Sequence, residues 1–120
     1  MKVLKILAIE EDDDIFLLFK ELETEKIKID IVKNGVEAYK KLYKTDIESQ
    51  YDYIITNIGL PDENGVEIVK FINMIFTSKI IIYTSKNCYF FENFCKFDYY
   101  FNKKIYSPAN IIDKIFNEYY

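Results

Sequence analysis

Hydrophobic positions in this chain gather into short unbroken runs: Val3 to Ile9, Ile29 to Val32, the Ile54-Ile55 pair, Ile80 to Tyr83 and Tyr99 to Phe101. They are rich in β-branched and aromatic residues and bounded by turn residues, the pattern of strands covered on both faces in a parallel sheet. Between them the spacing turns helical. Ile15, Leu18, Phe19 and Leu22 share one face of a helix near Asp14 to Glu23, which Asp12 or Asp13 can cap. After the Asn34-Gly35 turn, Ala38, Tyr39 and Leu42 face inward from a helix around Val36 to Tyr43, and Lys44 to Gln50 forms its polar exit. Ile68, Val69, Phe71 and Ile72 belong to a helix from Val66 to Met74, and the aromatic segment Asn87 to Phe97 reads as a short fourth helix. Ser107 as N-cap and Pro108 in the first turn open a fifth, striped by Ile111, Ile112, Ile115, Phe116 and Tyr119. Five strands alternating with five helices predict a single α/β domain over residues 1–120, a doubly wound parallel sheet with helices on both faces.

In such sheets functional groups collect at the carboxyl ends of the strands. The first run ends in Glu10, Glu11 and Asp12, the third in Asn57, the fourth in Thr84 and Ser85, and Lys103 follows the fifth. One edge therefore receives carboxylates, an amide, a hydroxyl and an ammonium.

That order and spacing resembles the receiver domain of two-component response regulators, over essentially the whole chain, and implies a flavodoxin-like (βα)5 fold. The resemblance places Glu10 and Glu11 at the family's acidic pair, Asn57 at its phosphorylated aspartate, Thr84 at its Thr or Ser and Lys103 at its lysine. Leu60-Pro61-Asp62 and Asn64-Gly65 also fit the family pattern. Tyr100 matches the aromatic that changes rotamer when the hydroxyl residue moves. In the family the acidic pair holds Mg²⁺, and the face between the fourth and fifth helices is the usual dimerisation surface. Phe90, Phe91, Phe94, Ile111, Ile115 and Tyr119 are the candidates for that surface here.

Three departures qualify the resemblance. An amide is neutral and a poor nucleophile, so Asn57 cannot form an aspartyl phosphate. Glu11 stands where the family usually has Asp, and its extra methylene together with the lost charge at residue 57 predicts weak or absent Mg²⁺ binding. Lys104 replaces the Pro that commonly follows the family lysine, which predicts a trans peptide or a cis one held by strain. An engineered Asp-to-Asn change alone would not produce the other two. The expected role of Asn57 is a hydrogen-bonding plug, donating to Glu10 or Glu11 and accepting from Lys103, with the Tyr100 switch locked. Thr56, beside it, is aimed away by strand alternation.

Composition narrows the function. A net charge of −4 gives no electrostatic case for contact with nucleic acid, and Lys40, Lys41 and Lys44 read as a solvated helix face. The absence of long apolar stretches and of a signal-peptide pattern makes a cytoplasmic location, with no membrane contact, the default. With no His in the chain, Cys88 and Cys95 have no metal spacing and read as free thiols. The expected function is a non-enzymatic, phosphorylation-independent receiver that acts as an interaction or dimerisation module, with a protein partner or a fused output domain, in gene regulation. A receiver-like domain that senses a metal, anion or small ligand near Thr84 and Lys103 is the alternative. A flavodoxin-like enzyme is disfavoured because Glu10, Glu11 and Asp12 would repel a flavin phosphate.

Overall fold

A computed structural model of the chain describes residues 2–46, 50–62 and 64–120. Five strands form one sheet: β1 (Leu4–Ile9), β2 (Ile27–Val32), β3 (Tyr53–Thr56), β4 (Lys79–Thr84) and β5 (Tyr99–Asn102). Their order is β2-β1-β3-β4-β5 and every neighbouring pair is parallel. Among the described residues four α-helices accompany them: α1 (Asp13–Glu21), α2 (Gly35–Tyr43), α3 (Gly65–Ile75) and α4 (Pro108–Tyr119).

Strand alternation divides the interior in two. Leu7, Ile9, Ile54, Ile80 and Ile82 pack against Ala38 and Leu42 of α2 and against Val69 and Ile72 of α3. On the opposite face Ile6, Ala8, Ile55, Ile81 and Tyr83 meet Phe19 of α1 and Ile111, Ile112 and Ile115 of α4. Burial on both sides is what makes these strands continuous apolar runs in the sequence. Caps fix where the helices begin. Asp12 accepts from the backbone N–H of Asp14 and Ile15 at 2.9 and 3.1 Å, and Ser107 and Asn110 form a reciprocal capping box ahead of α4.

The expected fourth helix does not form. Only a 3-10 turn at Cys88–Phe90 is present, and the chain then passes through turns. The cause is Phe91, fully buried, its ring 5.6 Å from that of Phe97 and 5.5 Å from that of Tyr100. Driving this one aromatic under the sheet edge leaves Tyr89, Phe90 and Phe94 in solvent, and residues of middling helix propensity have nothing to hold them in a longer helix. Three of the surface candidates are accordingly corrected: Phe91, Ile111 and Ile115 are all 0% exposed and belong to the core. Tyr119 is half-buried, whereas Phe90 and Phe94 are exposed. Part of the polar exit expected after α2, residues 47–49, lies outside the described residues.

Candidate functional site at the carboxyl edge of the sheet

The parallel hydrogen-bond ladder runs one step past the strand ends. Glu10 donates its N–H to Val32, Asn57 to Ile9 and Lys103 to Thr84, at 2.9, 3.3 and 3.0 Å. These bonds bring residues distant in sequence to one rim, as expected from the strand-end pattern.

Two pairs form the centre. Lys103 Nζ lies 2.7 Å from Glu10 Oε1 and 2.8 Å from Oε2, with its ammonium 5.5 Å above the Tyr83 ring. Glu10 is 1% exposed. Burial pushes its carboxyl up to about 7, against the pull of the Lys103 ammonium and the N–H of Asp12. Asn57, buried in the floor, donates through Nδ2 to both oxygens of Glu11, at 2.9 and 3.1 Å. Its Oδ1 accepts from Gly59 N–H at 3.3 Å rather than from Lys103. The plug is therefore present with one partner corrected: the lysine is engaged by Glu10.

The hydroxyl side of the rim is equally committed. Thr84 is buried, and its Oγ1 accepts from Lys86 N–H at 3.3 Å. Tyr100 donates to the Lys86 carbonyl at 2.7 Å, so Thr84 and Tyr100 hold the same residue. The Thr56 hydroxyl donates to the Asn57 carbonyl at 3.0 Å. No cis peptide occurs among the described residues, so the bond before Lys104 is trans.

Two structural roles at the rim lie beyond what residue spacing alone conveys. Asp62 reaches across from the loop after β3 and accepts from the N–H of Gly35 and Val36, at 2.7 and 3.0 Å, at the start of α2. These two donors lower its carboxyl below the ordinary range. A Cβ on Gly65 would sit 2.2 Å from the Asn57 carbonyl oxygen and 2.7 Å from Ile58 Cα. The Leu60-Pro61-Asp62 and Asn64-Gly65 motif marks both positions without revealing what they touch.

The donor set also bears on Mg²⁺. Both oxygens of Glu10, both of Glu11 and Oδ1 of Asn57 already accept from protein donors. A hard octahedral cation would need several of these oxygens turned toward it, so the residues as arranged do not fit it. Among the described residues no group of three or more His, Cys, Asp or Glu is placed to hold a metal ion.

A doubly wound five-stranded sheet with an acidic pair, a threonine and a lysine on its carboxyl rim defines a signalling receiver of the two-component class. The chain belongs to the response regulator receiver domain family, whose model matches residues 6–115. It is 33% identical over 84 residues to the response regulator ArlR of Staphylococcus saprophyticus, covering 69% of this chain and 36% of that protein. The chain thus spans about a third of the length of that curated relative. Among solved structures it is similar to a two-component response regulator from Clostridium difficile, at 29% identity and a TM-score of 0.79, over 93% of this chain and 92% of that one. The chemotaxis response regulator CheY4 of Vibrio cholerae shares the fold at 19% identity, with a TM-score of 0.81 over 97% and 98% of the two chains. No helix among the described residues is long and apolar enough to cross a membrane.

Proposed function

We propose that this receiver works without aspartyl phosphorylation and without Mg²⁺, as an interaction module of a larger transcriptional regulator. The observation that carries the reading is Asn57: a neutral amide stands at the end of β3 and is clamped by both oxygens of Glu11. Phosphorylation needs an anionic oxygen there, and an amide supplies none. Lys103 pairs with Glu10 and the Asn57 amide holds Glu11, so both members of the acidic pair have a protein partner without a bound cation. As a receiver it transmits by changing what it binds and performs no chemistry of its own.

The surface for that binding is the exposed aromatic group Tyr89, Phe90 and Phe94, for which a second copy of the chain is the proposed partner. Incubation with acetyl phosphate and Mg²⁺, followed by intact mass and sedimentation, tests both parts. The native chain is expected to gain no phosphate and to sediment as a dimer that Phe90→Ser/Phe94→Ser dissociates. A phosphorylated native chain would overturn the first part. A monomer at high micromolar concentration would overturn the second.

A further inference from the structure

We infer a second site at the opposite, amino-terminal edge of the sheet: a basic groove that takes a small ligand bearing two or more phosphate groups. Beneath the carboxyl end of α2 a concavity of about 380 Å³ is lined by Lys5, Lys28, Lys41 and Lys44, with Asp30 and Tyr51. Four cations thus face one carboxylate in a chain whose net charge is −4. Along the sequence, Lys41 and Lys44 belong to a solvated helix face. The fold gathers them with two strand lysines that spacing along the chain does not associate with them.

Two of the four have structural roles. Lys41 lies 3.7 Å from Asp30, and Lys41 and Lys44 both complement the carboxyl end of α2. Asp30 is further engaged by the Tyr51 hydroxyl, which donates to it at 2.6 Å. Lys5 and Lys28 have no such role. They are direct partners in the β1–β2 register, and among the described residues neither side chain forms an ion pair. The nearby Asp52 carboxylate accepts from the backbone N–H of Lys5.

Like charges placed opposite one another on neighbouring strands destabilise a sheet, and an anion between them reverses the sign. Flexible ammonium groups act as point charges and suit a spread polyanion better than they suit a planar carboxylate. The volume admits a diphosphate with room for an attached group.

The test is titration of the full chain with inorganic pyrophosphate, with inorganic tripolyphosphate, with ATP and with NaCl matched in ionic strength, followed by amide chemical shifts and thermal unfolding. Pyrophosphate and ATP are expected to give saturable shifts at Lys5, Lys28, Lys44 and Tyr51 and a rise in Tm that NaCl does not reproduce. If ATP binds more tightly than inorganic tripolyphosphate, which has as many phosphate groups, the ligand is a nucleotide; equal affinity assigns the recognition to the phosphates alone. Lys5→Gln/Lys28→Gln should weaken binding about tenfold and raise the Tm of the anion-free protein. Lys44→Gln, a fully surface change, should weaken it about threefold and serves if the double variant does not fold. Shifts that do not saturate, a Tm rise matched by NaCl, or undiminished binding by the variants would overturn the site.

Discussion

Lys103 and Glu10 are separated by 93 positions in the chain, yet the ammonium of one lies within 2.8 Å of both carboxylate oxygens of the other. Glu10 is almost wholly withdrawn from water. Its charge persists near neutral pH only through this partner, because burial alone favours the protonated acid.

The first prediction concerns pH. The Glu10 carboxyl is raised from its ordinary 4.5 to about 7 in the folded protein. The folded state therefore holds a proton that the unfolded chain has released between those values. This group's contribution is full below about pH 4.5 and is lost as pH rises through about 7. Glu10→Gln removes the titration. Relative to that variant, the native chain should lose on the order of 2–3 kcal/mol between pH 4.5 and 8 in urea unfolding. An unchanged difference across that range would refute the assignment.

Glu118 makes the opposite prediction at lower pH. It accepts from Lys79 at 2.8 Å, from Tyr53 at 2.6 Å and from Tyr99, and these bonds hold its carboxyl down at about 2. A depressed acid stabilises the fold above its unfolded value, and that stability is lost as pH falls from about 4.5 through about 2. Glu118→Gln should flatten this limb, by on the order of 1 kcal/mol once solvent screening is allowed for. The stability difference between the two chains should be constant above about pH 4.5 and close as pH falls through that window toward about 2.

Asn57→Asp is expected to cost about 1–3 kcal/mol in the absence of divalent ions, because an ionised carboxylate cannot donate to Glu11 and repels it. Millimolar Mg²⁺ should recover that loss in the variant and leave the native Tm unchanged. Equal Mg²⁺ responses in the two chains would show that Asn57 does not control cation access.

Gly65→Ala tests packing at the floor of the site. The added methyl would meet the Asn57 carbonyl oxygen and Ile58 Cα, both backbone atoms that cannot swing aside. Unfolding should show a loss of about 1–3 kcal/mol or more, with amide shifts centred on Asn57 to Gly59. A neutral substitution would mean that the α3 start can retreat.

The sheet is legible in the sequence because burial on both faces writes strands as continuous apolar runs, and the site residues can be placed because strand ends are where those runs stop. Pairing across space is not legible in the same way. Lys103 has two carboxylates within reach of its rim, and only the fold assigns it to Glu10 and leaves Glu11 to Asn57. The segment after β4 misleads for a related reason. Its aromatics suit a helix face by composition, but one deep contact at Phe91 outweighs the weak helical preference of the rest. Ile111 and Ile115 sit on a stripe wide enough to suggest a surface share, and α1 with the sheet takes both of them.

Asp62 joins two parts of the molecule that the sequence keeps apart. Its carboxylate belongs to the loop leaving β3, but the N–H groups it holds open α2. Displacing that loop would leave the Gly35 and Val36 N–H groups without their carboxylate acceptor. Fraying of the first turn of α2 is thus a built-in reporter of strain at the rim, readable by amide hydrogen exchange at Gly35 and Val36.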